Sequence, residues 1–244
     1  MRTIIGKNPV CEVIKSGKRI EKIYFLKEKQ KAILPYELEA ILQEKGVNID
    51  YISKKRLDIL ANEGNHQGVV AVVEDFKYST LEEVHEKANQ QGKAPFIIIL
   101  DGITDVHNLG AIIRSAECAG VDGILIPERR SAQINETVAK TSAGALEHMS
   151  IVRVGNINQS IQELKDLGYW VYGADMSGDA VYYEEQYDTA VAIVIGGEGK
   201  GIAKLTRERC DRIVEIPMIG KVNSLNASCA ATLLIYEVLR QRNK

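Results

Sequence analysis

Cysteine is scarce in this sequence and is not arranged for a metal or a disulfide. The four cysteines are Cys11, Cys118, Cys210 and Cys229, and no two of them form a Cys-x-x-Cys pair. This spacing excludes a zinc ribbon or zinc finger, and a chain of 244 residues does not need disulfides to stabilise its core. The four histidines are also scattered, with no i,i+4 pair that could present two metal ligands on a helix. We therefore expect no bound metal.

Proline is rare as well, and long apolar runs are missing. The chain has 5 Pro and 20 Gly, and it is 45% hydrophobic and 26% charged, which excludes collagen, low-complexity and disordered classes. No apolar run approaches the ~18 residues of a membrane helix. Residues 1–6 lack the long apolar stretch of a secretory signal. We expect a globular protein of the cytoplasm that does not enter a membrane.

The charge is nearly balanced overall but uneven along the chain. The net charge of -2 argues against a general nucleic-acid coat protein. Residues 1–73 nevertheless hold 13 Lys and Arg against 9 Asp and Glu, whereas residues 74–244 hold 18 against 24. The basic front segment is typical of a module that binds a polyanion, and a solvated basic face remains the alternative.

Apolar patterning predicts two α/β domains. Residues 1–73 alternate short helical and strand patterns, and residues 74–94 form a polar, partly helical linker. Residues 95–244 contain short, wholly apolar runs, such as 96–100 and 191–195, separated by helical patterns. Runs of this kind are typical of strands buried on both faces, so we predict a mostly parallel sheet with helices on both sides.

Three segments of the second domain follow predicted strands, at 101–110, 196–201 and 217–226. Ligands of open parallel sheets bind at the carboxyl ends of the strands, so these segments are the candidate site. The segments 196–201 and 217–226 each contain a Gly-Lys pair, but neither fits the spacing of a P-loop. No Gly-x-Gly-x-x-Gly turn joins a strand to a helix. A P-loop NTPase and an ordinary Rossmann dehydrogenase are therefore not supported.

Several side chains in these segments have both a functional and an ordinary interpretation. Arg114 leans back over Gly110 and Ala111 and is expected to reach the start of its helix, although surface arginines are common. Glu198 stands among glycines that let a ligand approach the backbone, and a solvated turn is the alternative. Ser224 and Asn226 precede a helix, where such residues often serve as N-caps.

Three motifs emerge when the segments are read together: Asn108-x-Gly110-x-x-x-Arg114; Gly196-Gly197-Glu198-Gly199-Lys200-Gly201-Ile202; and Ile216-Pro217-Met218 followed by Ser224-Leu225-Asn226-Ala227-Ser228. Their order and spacing resemble the signature motifs of the SpoU (TrmH) family of RNA ribose 2′-O-methyltransferases. The front segment is similar to that family's small L30e-like substrate-binding domain. It carries Gly6-Lys7-Asn8-Pro9-Val10 near its start and His66-Gln67-Gly68 near its end.

The resemblance implies the fold and the methyl donor. It predicts a C-terminal α/β-knot domain, with a deep trefoil knot and a mostly parallel sheet, behind the small N-terminal α/β domain. It also implies a homodimer and S-adenosylmethionine as cofactor. The residues expected to bind the cofactor by this resemblance are Gly196, Gly197, Ile216, Met218 and Leu225.

The resemblance also implies a reaction: transfer of a methyl group to a ribose 2′-hydroxyl of RNA, expected to be a guanosine of 23S rRNA. Arg114 is expected to stabilise the developing alkoxide, assisted by Asn108, Glu198, Ser224 and Asn226. Glu198 is expected to hold Arg114 or the loop around it. A sister enzyme acting on tRNA, and a non-catalytic RNA-binding or ribosome-assembly factor, remain alternatives.

Arg129 and Arg130 follow a predicted strand at the edge of the site. We expect both to bind RNA through phosphate contacts, with plain solvation as the alternative.

Overall fold

The computed structural model describes residues 1–27 and 33–243, and these form two compact units. The first unit comprises Met1–Lys77 and Ile134–His148, and the second comprises Tyr78–Gln133 and Met149–Lys244. Up to the end of the predicted linker, the elements are β1 (Arg2–Ile5), α1 (Lys7–Lys15), β2 (Ile20–Leu26), α2 (Tyr36–Glu44), β3 (Asn48–Ile52), α3 (Lys54–Leu60), β4 (Val69–Val73) and α4 (Leu81–Gln90).

The rest of the chain alternates strands and helices. These elements are β5 (Phe96–Asp101), α5 (Val106–Cys118), β6 (Gly123–Pro127), α6 (Glu136–Thr141), β7 (Ile151–Val154), α7 (Ile157–Asp166), β8 (Trp170–Ala174), β9 (Ala180–Val181), β10 (Val191–Gly196), α8 (Lys204–Arg209), β11 (Arg212–Glu215) and α9 (Ala227–Arg242).

The first unit contains a four-stranded sheet in the order β1-β4-β2-β3. Strands β2 and β3 are parallel, and β4 pairs antiparallel with both β1 and β2. The sequence patterns did not predict β1, which has only four residues. Its pairing partner, β4, lies more than 60 residues later in the chain, and no local pattern reveals so distant a pairing.

The second unit contains a seven-stranded sheet in the order β7-β6-β5-β10-β8-β11-β9, and every neighbouring pair is parallel. Strand β5 is almost completely buried because β6 and β10 flank it and helices cover the sheet. The α/β fold with a mostly parallel sheet is therefore confirmed. Among the described residues, no helix is both long and apolar enough to cross a bilayer.

The division into units differs from the boundaries expected from the sequence. Ile134–His148 lies in the first unit, although the apolar pattern placed it within the second domain. Glu147 explains part of this placement: its side chain is only 3% exposed and accepts hydrogen bonds from Arg2 and Lys18. A buried carboxylate requires such cationic partners, and both lie near the start of the chain.

The predicted linker also contains more structure than its composition indicates. Helix α4 begins with a capping box in which Thr80 and Glu83 satisfy each other's backbone amides. Leu81 and Val84 then pack into the core of the second unit. Helix α4 is therefore part of that unit and not a solvated connection.

Candidate functional site

The candidate site begins where β5 and β10 end side by side. Asp101 and Gly196 are paired at the last position of the two strands. The Asp101 carbonyl then accepts a hydrogen bond from Gly197 N at 2.9 Å, and its carboxylate accepts one from Ala203 N at 2.9 Å. Asp101 thus fixes both ends of the glycine-rich segment that follows β10, at the sheet edge where parallel folds bind ligands.

Two glycines of this segment are required by close backbone packing. A β-carbon on Gly196 would lie directly against the backbone of Gly201, and one on Gly197 would lie directly against the carbonyl of Gly102. Gly199 and Gly201 also adopt positive φ angles of 76° and 62°, which L-residues with a β-carbon rarely adopt. The segment is therefore a tightly folded loop, which we call the glycine loop (residues 196–201).

A cavity of about 430 Å³ lies on one side of the glycine loop. Its walls are partly apolar and partly polar, as is typical of small-molecule sites. All five residues expected to bind the cofactor line it, namely Gly196, Gly197, Ile216, Met218 and Leu225. Glu198, Ser224 and Asn226 line it as well. We call it the first cavity.

A second cavity, also about 430 Å³, lies against the same loop. Its lining includes Thr104, Asp105, Asn108 and Arg130, and among the described residues Ile103 is the only large apolar side chain in it. Gly197, Glu198, Lys200 and Gly201 line both cavities. The glycine loop therefore forms a wall that the two cavities share.

Three predicted catalytic residues are joined by hydrogen bonds at this wall. Asn108 Nδ2 donates to Glu198 Oε1 at 2.9 Å, and Asn226 Nδ2 donates to the same oxygen at 2.8 Å and to Asn108 Oδ1 at 2.9 Å. The carboxylate of Glu198 is therefore held by the two amides of Asn108 and Asn226. Asn108 is buried, whereas Glu198 and Asn226 are exposed.

Asn226 also caps α9, so both interpretations of this residue hold. Its Oδ1 accepts hydrogen bonds from Ser228 N at 3.0 Å, Ser228 Oγ at 2.6 Å and Cys229 N at 3.3 Å. Its Nδ2 makes the contacts with Glu198 and Asn108. The amide accepts through its oxygen and donates through its nitrogen, whereas an ionised aspartate only accepts, so an aspartate would cap the helix but lose the network.

Two of the predicted arginines lie elsewhere. Arg114 is exposed on α5 and lines neither cavity, and Arg129 is likewise exposed and outside both. Arg114 lies six residues after Asn108, which is about 9 Å along the helix axis and about 240° around it. The structure therefore does not bring Arg114 to the network within one chain.

Asp175 is a cavity residue that the sequence reasoning missed. It follows β8 directly, lines the first cavity, and forms an ion pair with Arg207 at 2.8 Å. Burial would raise the pKa of Asp175, but hydrogen bonds from Ser177 and the Arg207 cation outweigh it and lower the pKa below its ordinary value. Its position just after a parallel strand was the available signal. Within the described residues, no group of acidic, histidine or cysteine side chains is placed to hold a metal ion.

Comparison with protein families agrees with this geometry. Residues 95–236 match the model of the SpoU rRNA Methylase family, which covers more than half of the chain. The chain belongs to the SpoU family. It is therefore an RNA methyltransferase that uses S-adenosylmethionine as its methyl donor. Residues 3–79 match a second model, that of RNA 2′-O ribose methyltransferase substrate binding.

Individual relatives cover nearly the whole chain. A Bacillus subtilis protein named as a TrmH family tRNA/rRNA methyltransferase is 42% identical over 98% of this chain and 96% of its own. The SpoU methyltransferase AviRb from Streptomyces viridochromogenes, solved in complex with AdoMet, shares the fold with a TM-score of 0.80 and 24% identity, covering 99% of this chain and 90% of that one. The TrmH/SpoU tRNA modifying enzyme from A. aeolicus matches 67% of this chain and 84% of its own, with a TM-score of 0.56 and 28% identity.

Proposed function

We propose that the chain transfers the methyl group of S-adenosylmethionine to a ribose 2′-hydroxyl of RNA, and that its target is a guanosine of 23S rRNA. One observation carries the division of roles within the site. Two cavities of similar size share the glycine loop as a wall, and a hydrogen-bonded carboxylate, Glu198, lines both. Donor and acceptor in neighbouring cavities can meet across such a wall, which is the arrangement that a two-substrate transfer needs.

The first cavity suits the donor. Apolar side chains such as Ile216 and Leu225 provide surfaces for a purine ring, and Gly196 and Gly197, which have no side chain, leave the main chain itself at the cavity lining. Asp175 and Glu198 add negative charge near a ligand that carries a sulfonium cation. Bound there, S-adenosylmethionine supplies an electrophilic methyl group and a neutral leaving group.

The second cavity suits the acceptor nucleotide. Arg130 and Lys200 bring two cations to a lining that also holds the carboxylates of Asp101, Asp105 and Glu198, and a phosphate is the group that such cations bind. Asn108 and Glu198 lie at the same cavity, where they can orient a ribose hydroxyl. We keep Arg129 as an RNA-binding residue at the rim of this region.

In the proposed mechanism, Arg114 stabilises the negative charge that develops on the 2′-oxygen. Because Arg114 lines neither cavity of its own chain, we propose that it acts in a homodimer by reaching the site of the twin subunit. An arginine fork would stabilise the alkoxide that forms as the 2′-hydroxyl releases its proton to solvent, and it would hold the neighbouring phosphate, while Asn108, Ser224, Asn226 and Glu198 fix the geometry. The methyl group then replaces that proton on the 2′-oxygen, and the thioether leaves.

The outer faces of α5 and α9 are the surfaces we assign to this dimer. These helices pack together, with Ser115 Oγ and Thr232 Oγ1 at 2.8 Å. One side of α9, which carries Ala227, Ala231, Leu234 and Val238, is buried, and the helix packs on β10. The opposite side of the helix is therefore the available one. That side exposes Leu233 (40%) and Tyr236 (44%). We expect a particle of about 54 kDa, twice the 27.0 kDa chain, by light scattering.

Mixed dimers test the trans assignment of Arg114. Arg114→Ala and Asn226→Ala should each be nearly inactive alone. If Arg114 acts across the dimer, mixed dimers contain one complete site, and a re-equilibrated equimolar mixture should recover about a quarter of wild-type activity. If Arg114 acts within its own chain, every site of the mixture stays incomplete and no activity returns, which would refute the trans assignment.

The choice of RNA is tested by mapping ribose methylation. Loss of one 23S rRNA 2′-O-methyl group in a strain lacking the gene, restored by the wild-type chain, is the expected result. Loss at a tRNA position with 23S rRNA unchanged would overturn the rRNA target while leaving the reaction intact. We favour rRNA because the A. aeolicus tRNA modifying enzyme matches only 67% of this chain, whereas residues 3–79 add a match to a substrate-binding domain.

A non-catalytic RNA-binding or ribosome-assembly factor, the remaining alternative, predicts unchanged methylation in the deletion strain. Calorimetry with S-adenosylmethionine distinguishes it further, because an assembly factor with a decayed site would not bind the donor at millimolar concentration. We expect the reaction to take place in the cytoplasm, with the RNA.

A further inference from the structure

We infer that Asp175 binds the ribose hydroxyls of the S-adenosylmethionine nucleoside, with its Oδ2 atom as the hydrogen-bond acceptor. The inference rests on the donor half of the function proposed above and assigns a residue outside the three sequence motifs. It depends on where Asp175 stands in the sheet, how its carboxylate is held, and which of its oxygens remains available.

The position of Asp175 is the first argument. It directly follows β8, the parallel neighbour of β10, so it stands beside the start of the glycine loop at the carboxyl edge of the sheet. In nucleotide-binding parallel folds, a carboxylate after a neighbouring strand commonly accepts hydrogen bonds from the ribose while a glycine-rich turn contacts the rest of the ligand. Asp175 and the glycine loop line the same cavity.

The way the carboxylate is held is the second argument. Oδ1 accepts hydrogen bonds from Ser177 N at 3.0 Å and Ser177 Oγ at 2.7 Å, and it lies 2.8 Å from Arg207 Nη1. Arg207 is itself fixed, since its guanidinium also donates to Ser177 Oγ and to the Ser177 carbonyl. Three contacts on one oxygen orient the carboxylate before any ligand arrives, and preorganised acceptors bind more tightly.

The other oxygen is the third argument. Among the residues that the structure describes, none donates a hydrogen bond to Oδ2 of Asp175. Oδ2 points toward the glycine loop, because a β-carbon on Gly201 would lie 3.2 Å from it. The pKa of Asp175 lies below its ordinary value because the contacts from Ser177 and Arg207 outweigh its burial, so the free oxygen is a carboxylate acceptor at neutral pH. A vicinal pair of ribose hydroxyls is the donor group of the cofactor that suits it.

Calorimetry on the full chain tests the contact by changing both partners. We would measure binding of S-adenosylhomocysteine and of its 2′,3′-dideoxyribose analogue to the wild type and to Asp175→Asn. Hydrogen bonds to a charged acceptor predict that the wild type loses about tenfold or more in affinity when the hydroxyls are removed. Asp175→Asn should lose a similar factor toward S-adenosylhomocysteine but bind the dideoxy analogue as the wild type does.

Glu185→Gln is the matched control. Glu185 also pairs with an arginine, Arg212, at 3.0 Å, and its side chain is 19% exposed against 20% for Asp175, but it does not line the first cavity. Glu185→Gln should leave the affinities for S-adenosylhomocysteine and for its dideoxy analogue unchanged. Asp175→Glu keeps the charge but moves the carboxylate by one methylene, so its affinity should no longer depend on the ribose hydroxyls. This variant replaces Asp175→Asn in the test if Asp175→Asn does not fold.

The outcomes separate this inference from the proposed function. If the Asp175 variants and the wild type lose the same factor when the hydroxyls are removed, Asp175 does not contact the ribose and only holds Ser177 and Arg207 in place. If the wild type itself binds no S-adenosylhomocysteine, the donor site is wrong and the proposed function fails with it.

Discussion

The two cavities of the second unit share one wall but differ in chemistry. The first combines apolar side chains with tightly packed glycine backbone and an oriented carboxylate, Asp175. The second is lined by Thr104, Asn108, Asp101 and Asp105 together with Arg130, and Lys200 lines both cavities. A sulfonium nucleoside suits the first environment and a ribose phosphate suits the second. Residues that line only one cavity, such as Asp175 in the first and Arg130 in the second, account for this difference, whereas Glu198 and Lys200 of the shared loop face both ligands.

The largest effect is expected when a side chain is introduced into the wall that the two cavities share. Gly197→Val should abolish detectable donor binding and methyl transfer, because its β-carbon meets the Gly102 carbonyl. The loop would have to move, and both cavities would change together. Calorimetry and single-turnover methylation should fail in parallel; normal binding to either cavity would show that the wall is not shared in function.

The next largest effect separates chemistry from binding. Arg114→Ala should fold normally and bind S-adenosylmethionine as the wild type does, since Arg114 is exposed and outside the first cavity. Methyl transfer should fall by ~10²-fold or more if the arginine stabilises charge that forms only in the transition state. Arg114→Lys should recover little, because a point charge cannot replace a two-pronged fork. A rate above about a tenth of wild type would leave Arg114 without a catalytic role.

The sequence predicted the second unit better than the details of its site. Runs such as residues 96–100 predict strands, because a strand buried on both faces has no polar position. Strand β5 forms over that run, as predicted. Helix α6 was missed because it is only six residues long and packs on β1, more than 130 residues away in the chain. Asp175 was missed because its significance depends on Arg207, which is distant in sequence and close only in the fold.

The expected reach of Arg114 illustrates a different limit of sequence reasoning. Side chains on a helix lean toward its N-terminus, which predicts that the Arg114 guanidinium reaches the start of α5. That lean covers only about one turn of helix. Asn108 lies nearly two turns earlier and on another side. The contacts that join Asn108, Glu198 and Asn226 were also beyond the sequence, since motif order gives proximity but not the donor and acceptor of each hydrogen bond.

A moderate loss of RNA affinity is expected when a cation is removed from the second cavity, and a smaller one when it is removed from beside the cavity. Arg130→Gln should weaken RNA binding by about tenfold and reduce the salt dependence by about one phosphate contact, while donor binding stays unchanged. Arg129→Gln is the matched comparison, because it removes the same charge from the neighbouring residue, which lies outside the cavity. As a rim contact, Arg129 should contribute less to RNA binding than Arg130. Filter binding across a salt series measures both. Equal losses would mean that the basic pair acts through general charge and that the second cavity does not select a phosphate.

The smallest effect on activity is expected at the far end of α9, whose first turn belongs to the site. Arg242 donates hydrogen bonds to the carbonyls of Ala94, Pro95, Tyr187 and Thr189, and its guanidinium lies 5.5 Å from the centre of the Phe96 ring. A lysine cannot reach these carbonyls together, so Arg242→Lys should lower the free energy of unfolding by about 2 kcal/mol. Donor affinity and single-turnover rate below the melting transition should stay near wild type.

Asn226→Ala provides the opposite case on the same helix. Losing the cap should destabilise the protein by about 1 kcal/mol, yet methyl transfer should fall far more than for Arg242→Lys, because Asn226 also donates to Glu198 at the shared wall. Chemical denaturation and single-turnover methylation of both variants check this. If activity simply follows stability in the two variants, the Asn108, Glu198 and Asn226 network supports the fold and takes no specific part in the transfer.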